Sequence, residues 1–163
     1  MRLTPQQIQE IAGVSRDVLR HWRKTLSPLQ GKNGYRPCFS LGDALAIKVI
    51  QHLTRDFGVA VSALGDVAPM LFAVCQKKTW AIQRDSWLVL NLPANTVVCL
   101  ESLAELDMQA AVLLIPLGRL MGDLQSAMLG NEETAEQVQL EFPLTPGEVA
   151  GRRVRKPATG RGS

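Results

Sequence analysis

The chain has 163 residues, of which 46% are hydrophobic and 20% charged, a composition typical of a globular protein with one substantial core and room for a small second one. Its longest apolar runs, such as residues 110–115, are too short to span a bilayer, and no apolar secretory segment opens the sequence. The three cysteines are odd in number and far apart, which argues against a disulfide framework and favours a reducing compartment. We therefore expect a cytoplasmic protein.

The net charge of +3 conceals an uneven distribution along the chain. Residues 1–60 contain nine Lys/Arg and four Asp/Glu, residues 61–140 contain four and nine, and residues 141–163 contain five and two. A polyanion such as nucleic acid would be attracted to the first and last segments and repelled by the middle one.

Two short helices are predicted at the N-terminus. Thr4 has the properties of an N-cap with Pro5 at the first helical position, and Gly13 suits the end of this helix. Ser15 is predicted to cap the second helix. The side chains predicted to lie on its inner side are Ser15, Val18, Leu19 and Trp22. Those predicted to lie on its free side are Arg16, Asp17, Arg20, His21 and Lys24. A Gly-containing turn between two short helices, the second one cationic, makes a helix-turn-helix candidate.

A β-hairpin is predicted over residues 29–39, because Asn33-Gly34 suits the two positive-φ positions of a type I′ turn. Tyr35 and Phe39 are strand-forming aromatic residues on its return side. Ser40 and Asp43 resemble a capping box that opens a third helix, which is predicted to run to about residue 57. A fourth helix is predicted from about residue 62 to residues 77–78.

Short β-favouring runs follow at residues 79–83, 87–92 and 96–100, as in a small antiparallel meander. Residues 110–115 fit either a buried strand or the start of a helix. A last helix is predicted from Pro116 to Gly130. Its apolar stripe is interpreted either as ordinary core or as a subunit interface, and it consists of Leu117, Leu120, Met121, Leu124 and Met128. We predict that residues 131–163, acidic and then basic, are disordered.

Three stretches resemble the winged helix-turn-helix of the MerR family of bacterial transcription regulators. They are IAGVSRDVLRHWRK for the two helices, NGYRPCFS for the wing, and LGDALAIKVIQHLTRDFGVAVSAL for the helices that follow. The resemblance covers about residues 3–65. It implies that Arg16 and Arg20 contact the DNA groove and phosphates, and that Tyr35 and Arg36 contact the DNA backbone. The chain departs from the family's paired tyrosines at His21-Trp22, and its C-terminal part does not match.

The predicted fold class is α+β, with a MerR-like winged helix-turn-helix (residues 1–78), a small α/β domain containing a short antiparallel sheet and a C-terminal helix (79–130), and a disordered tail (131–163). The predicted function is sequence-specific binding of double-stranded DNA by a homodimeric transcription regulator, with residues 15–25 in the major groove. The candidate DNA-binding residues are Ser15, Arg16, Asp17, Arg20, His21, Arg23, Lys24, Lys32, Asn33, Tyr35 and Arg36.

Several other interpretations remain open. The cations of the second helix would also suit a solvated surface, and Tyr35 would also suit packing on the third helix. The chain could be a DNA architectural or recombination accessory protein similar to the excisionases, or a protein-interaction adaptor without DNA affinity.

His21 and His52 are isolated, and no pair of cysteines has zinc-ligand spacing, so no metal or other cofactor is predicted and buried thiols are expected. No nucleophile with its base and no phosphate-cradling Gly loop is found, and we do not expect an enzyme.

Overall fold

The computed structural model describes residues 1–77, 85–106 and 109–139, and it has a mixed α and β architecture. Its helices are α1 (Pro5–Ala12), α2 (Arg16–Thr25), α3 (Leu41–Asp56), α4 (Ala68–Lys77) and α5 (Leu117–Gln139). Its strands are β1 (Trp87–Asn91), β2 (Thr96–Leu100) and β3 (Leu113–Pro116). Short 3₁₀ turns span Ser27–Leu29, Val61–Leu64 and Leu103–Glu105. The predicted α+β class is confirmed.

Local capping chemistry determines where the first two helices begin. The Thr4 hydroxyl accepts the backbone N–H of Gln7, and the Gln7 side chain accepts the N–H of Thr4, which completes a capping box on α1. The Ser15 hydroxyl accepts the N–H of Val18 at the start of α2. α1 ends at Gly13, whose φ of +71° places it in the left-handed region that glycine adopts without strain. These predicted helix boundaries are confirmed.

α2 packs on the core through Leu19 and Trp22, which are both buried. Val18, predicted to share that inner face, is 39% exposed, and Ser15 is exposed too, so these two parts of the prediction are wrong. Leu26 follows Leu19 and Trp22 at helical spacing and is fully buried. The buried stripe therefore passes through these three residues, and Val18 lies about a quarter turn away from it.

The predicted hairpin over residues 29–39 is not formed: residues 30–38 are a loop without strand pairing. Gly34 has a φ of +92°, but Asn33 does not have the positive φ that a type I′ turn also requires. Phe39 pairs instead with Leu3, whose N–H donates to the Phe39 carbonyl at 2.7 Å. Two features oppose the hairpin. Pro37, on its predicted return side, has no N–H to donate to a partner strand, and the backbone groups of Phe39 are already bonded to Leu3.

α3 is the central helix, and its residues Ala44–Ile47, Val49, Ile50 and Leu53 are buried. The predicted capping box of Ser40 and Asp43 is confirmed, as is the helix end next to Gly58, whose φ is +65°. The fourth helix differs from the prediction, because residues 61–64 form a 3₁₀ turn and α4 begins only at Ala68.

The three strands form an antiparallel sheet in the order β2-β1-β3. Leu88 of β1 lies between Cys99 of β2 and Ile115 of β3, and Leu90 lies beside Val97. These side chains belong to the core, and β2 packs against α4. The strands predicted at residues 87–92 and 96–100 are confirmed, and the open choice at 110–115 is decided in favour of a strand. The strand predicted at 79–83 lies outside the described residues.

α5 completes the core by packing against α1 and α3. Four residues of its apolar stripe, Leu117, Leu120, Met121 and Leu124, are at most 4% exposed, and Met128 is half-buried against the same core. The stripe is therefore internal, and its prediction as a dimer interface is wrong. The helix also continues through Gly130 to Gln139, which corrects the prediction that residues 131–139 belong to a disordered tail. The rest of that tail lies outside the described residues.

The buried side chains on either side of residue 78 belong to one continuous hydrophobic core, which extends from Leu3 to Leu124. The predicted domain boundary itself falls within residues 78–84, outside the described part of the chain. α1 and α3 pack against α5, and β2 packs against α4, so α2 is held as part of this larger body.

Candidate nucleic-acid interface

The exposed side of α2 carries a row of cations at helical spacing. Arg16, Arg20 and Lys24 follow one another at intervals of four residues, and all three are exposed. Side chains four residues apart lie on the same face of a helix. Their charges therefore project from one face of a helix whose other face is fixed in the core by Leu19 and Trp22.

Loop 30–38 lies beside this face and presents an exposed aromatic residue. Tyr35 is 93% exposed, so the alternative prediction that it packs on α3 is wrong. Asn33 and Arg36 are exposed as well. The loop is fixed at its ends, because Phe39 is fully buried and Lys32 reaches into the core region around Asp43. The exposed residues between these anchors remain next to α2.

Two adjoining grooves bring the helix and the loop together. We call them the upper groove and the lower groove. The upper groove, of about 630 Å³, is lined by Thr4, Pro5, Gln6, Gln9, Arg16, Arg20, Arg23, Gly34 and Tyr35. The lower groove, of about 590 Å³, is lined by Arg20, Arg23, Lys24, Gln30, Gly31 and Asn33. Arg20 and Arg23 line both. Neither set of lining residues contains a carboxylate, so four cations surround these grooves without a compensating acid among them.

Arg23 differs from the other three cations because its side chain is half-buried. Its guanidinium carbon lies 5.7 Å from the centre of the Phe39 ring, within cation–π distance. Its Nε and Nη2 atoms are buried and have no hydrogen-bond partner among the described residues. The guanidinium group thus lies against the ring, and the hydrogen-bonding capacity of this edge is unused.

Lys32, predicted as a DNA contact, is directed into the protein. Its ammonium group forms an ion pair with Asp43 and lies 5.5 Å from the centre of the Phe39 ring. The Asp43 carboxylate also accepts the backbone N–H of Ser40 at 2.7 Å and the side-chain amide of Gln76 at 3.0 Å. Burial alone would raise the pKa of Asp43, but the hydrogen bond from Lys32, the N–H of Ser40 and the charge of Lys32 together hold it below its usual value. Lys32 thus anchors the loop, and we remove it from the candidate interface.

The remaining predicted residues lie on the protein surface outside the linings of the two grooves. Ser15, Asp17, His21 and Arg36 are exposed. The Ser15 hydroxyl caps α2. Asp17 lies in the first turn, where its negative charge interacts favourably with the helix dipole. The grooves therefore bring together Arg16, Arg20, Arg23, Lys24, Asn33 and Tyr35 from the predicted set.

Sequence reasoning missed the contribution of α1. Gln6 and Gln9 line the upper groove opposite the arginines, and Gln30 lines the lower one. Glutamine side chains both donate and accept hydrogen bonds, so these residues add neutral polar contacts to a cationic surface. The run Pro5-Gln6-Gln7 signals only a helix start, and its spacing carries no indication that the helix faces α2 across a groove.

The turn between α1 and α2 is fixed from α3. The Gln51 side-chain amide donates to the Gly13 carbonyl at 2.6 Å, and the Lys48 ammonium group donates to the Ala12 carbonyl at 3.3 Å. Both carbonyls belong to the end of α1, where backbone acceptors lack partners inside the helix. The orientation of α2 is thereby tied to the central helix of the core.

The other reactive side chains form no second site of comparable definition. Cys75 is buried, and burial raises its pKa to about 12, whereas Cys38 and Cys99 are half-buried, so burial of all three thiols is only partly confirmed. His52 contacts Asp56 at 2.5 Å on the outside of α3. Within residues 1–77, 85–106 and 109–139, no three His, Cys, Asp or Glu side chains lie close enough to hold a metal ion. In the same part of the chain, no helix has the length and apolar character needed to cross a membrane.

Comparison of the sequence with models of known protein families and with curated proteins found no match in either set.

Proposed function

We propose that this protein binds double-stranded DNA, with the exposed face of α2 in the major groove and loop 30–38 against the neighbouring backbone. The observation that carries the proposal is the convergence of four cations from one helix on two adjoining grooves without a carboxylate in their linings. An α-helix fits the major groove of B-DNA. Lys and Arg side chains on such a helix supply affinity by neutralising phosphates and releasing counterions.

Base recognition is assigned to the N-terminal end of α2. Arg16 and Asp17 are its first two residues, and both are exposed. Helices of this kind contact base edges through their N-terminal residues. An arginine can bind guanine through two hydrogen bonds, and an aspartate can accept one from cytosine. Lys24, at the other end of α2, is assigned to a phosphate.

The proposed biological role is that of a transcription regulator acting at a specific DNA site. The resemblance of residues 3–65 to the MerR winged helix-turn-helix supports this role. Loop 30–38 takes the place of the paired wing, and its exposed Tyr35 and Arg36 are the groups that would reach the DNA backbone. Pairing of two copies on two half-sites stays a prediction, and it requires a surface other than the buried stripe of α5.

The test is the affinity for a labelled random-sequence duplex, measured by fluorescence anisotropy at about 50 and about 200 mM salt. We expect binding that weakens steeply with salt. Arg16→Ala combined with Arg20→Ala should reduce the affinity at least about tenfold, because each such contact contributes about 1–3 kcal/mol. The matched control is Arg55→Ala with Arg119→Ala, which removes the same charge from exposed sites in a groove that shares no lining residue with the other two.

Two results would refute the proposal: no affinity of the wild type at low salt, or equal losses in the two double variants. Selection of bound sites from random duplexes then separates the roles. A two-fold motif supports a regulatory dimer, and direct repeats support a DNA architectural protein instead. A solution mass determination without DNA tests the pairing.

A further inference from the structure

Arg23 occupies the junction of the upper and lower grooves, and its position is not explained by the fold. Its Nε and Nη2 atoms are the only buried side-chain nitrogen or oxygen atoms without a hydrogen-bond partner in the described residues. A buried donor that has lost its water and gained no acceptor costs free energy. A guanidinium group that served only to stabilise the core would normally direct this edge at a carboxylate or a carbonyl.

The surroundings of Arg23 increase this cost. Arg20 lines the same two grooves, and neither lining contains an acid, so another positive charge adjoins the junction and no carboxylate lines it. Phe39 offers the face of its ring at 5.7 Å, which attracts a cation but accepts no pair of parallel hydrogen bonds. A bound anion would both neutralise this charge and accept hydrogen bonds from the unused donors.

The identity of the unused atoms indicates the geometry of that anion. Nε and Nη2 lie on the same edge of the guanidinium plane, and an arginine uses such an edge to hold two oxygens of one carboxylate or phosphate. Gln9 adds a neutral side-chain amide to the lining of the upper groove, and so does Gln6, whose amide also donates to Glu10 at 3.1 Å. A phosphodiester presents its two non-bridging oxygens to Arg23, and the remaining lone pairs of these oxygens can accept hydrogen bonds from Arg20 and the glutamines.

We propose that the junction is a binding site for a single phosphoryl group, held by the Nε and Nη2 edge of Arg23 and by Arg20. Since that edge is buried, the Arg23 side chain turns away from Phe39 into the groove when the anion binds. Gly31 and Gly34 line the loop side of the junction, and no atom lies near where a Cβ would be on either. The lining on that side is therefore open enough for the side chain to move.

This inference rests on the proposed function for its ligand, which is then one phosphodiester of the DNA backbone. Phosphate contacts fix the register and orientation of a protein on the duplex but carry no sequence information. Arg23 would thus position α2, whereas the exposed residues at its N-terminal end read the bases. A free phosphorylated ligand presents the same chemistry, and the experiment separates the two sources.

The first measurement is the melting temperature in inorganic phosphate compared with chloride at equal ionic strength. Phosphate is expected to raise the melting temperature of the wild type, because a ligand that binds only the folded state stabilises it. Arg23→Gln should reduce this rise to the general stabilisation that phosphate gives by its exclusion from protein surfaces, and Arg23→Lys, which keeps the charge without the two-pronged edge, should reduce it by less. Arg119→Gln is the matched control and should respond as the wild type does. A rise in Arg23→Gln as large as that in the wild type and in Arg119→Gln would overturn the inference.

The second measurement is the salt dependence of binding to the random-sequence duplex. Loss of one phosphate contact in Arg23→Gln should lower the slope of log affinity against log salt by about 0.9, with no change in the motif selected from random DNA. If phosphate acts through Arg23 but no duplex binds, the DNA function fails and the phosphoryl site stands for a free ligand. If the duplex binds and Arg23→Gln changes neither the slope nor the phosphate response, the site fails and the DNA function stands.

Discussion

The interaction between Lys32 and Asp43 should have a coupling energy of about 2 kcal/mol in the folded protein. Exposed ion pairs contribute about 0.2–1 kcal/mol, whereas removing one partner of a fully buried pair costs about 3–5 kcal/mol. The Asp43 side chain is 2% exposed and that of Lys32 is 23% exposed, so this pair lies between the two limits. Asp43 is further held by Ser40 and Gln76, which fixes the carboxylate in the position where Lys32 meets it.

A double-mutant cycle measures this contribution directly. The variants are Asp43→Asn, Lys32→Met and the two combined, and the assay is urea unfolding followed by circular dichroism. Asparagine keeps a side-chain oxygen for the helix cap, so the cycle isolates the charge interaction. We expect a coupling energy of about 2 kcal/mol at an unchanged urea dependence. A coupling below about 0.5 kcal/mol, the value of an ordinary surface pair, would refute the reasoning.

The same pair predicts the direction of a pH dependence. Because the pKa of Asp43 is lower in the folded protein than in the unfolded chain, its contribution to stability is complete above the unfolded value, about 3.9. It is lost as the pH falls through the folded value. The stability advantage of the wild type over Asp43→Asn should therefore be constant near neutrality and shrink under acid conditions. An advantage that grew on acidification would contradict the assigned direction.

Two further predictions concern the packing of helices. Gly42→Ala should destabilise the protein by about 1–3 kcal/mol, because its Cβ would lie 2.8 Å from the α4 backbone. Gly122→Ala, with open space around it, should instead stabilise the protein by up to about 1 kcal/mol. Equal effects of the two variants in chemical denaturation would contradict the close approach of α3 and α4. Leu124→Ala should lower the free energy of unfolding by about 2–5 kcal/mol without changing the solution mass, since Leu124 is fully buried in the chain's own core. Leu129→Ala, at a residue that is 64% exposed, should lower it by less than about 0.5 kcal/mol. A change of mass in Leu124→Ala would restore the stripe as a subunit interface.

The parts of the fold that could be predicted depend on interactions between residues close in sequence. Thr4, Ser15 and the pair Ser40–Asp43 cap helices through groups three residues apart, and such pairs are visible in the sequence itself. The strand at residues 87–91 is likewise marked by β-favouring side chains between turn residues. Each of these signals involves only residues that are close in sequence, so contacts with distant residues did not change the predicted structure.

The failures lie where distant residues compete for the same groups. Asn33-Gly34 favours a hairpin locally, but Phe39 pairs with Leu3 and Lys32 with Asp43, and neither competitor is visible within the turn. The apolar stripe of α5 was equally compatible with a core or an interface, because periodicity shows which face is apolar but not what covers it. Only the packing against α1 and α3 decides the matter.

The two anchors of loop 30–38 determine what kind of interface α2 and the loop can form. α2 is fixed from behind by the core and at its start by the hydrogen bond between Gln51 and Gly13, so its cations keep their spacing. The loop is fixed near its ends, at Lys32 and at residues 38–39, and the exposed Tyr35 between them has no buried contact to hold it. A rigid helix can recognise a fixed pattern of groups in a groove, whereas a loop held at its ends can adjust to the backbone beside it. Since Arg23 shares the Phe39 ring with Lys32, an anion that draws Arg23 outward would also change the surroundings of one loop anchor. Binding at the groove junction and the position of Tyr35 are therefore expected to be coupled through Phe39.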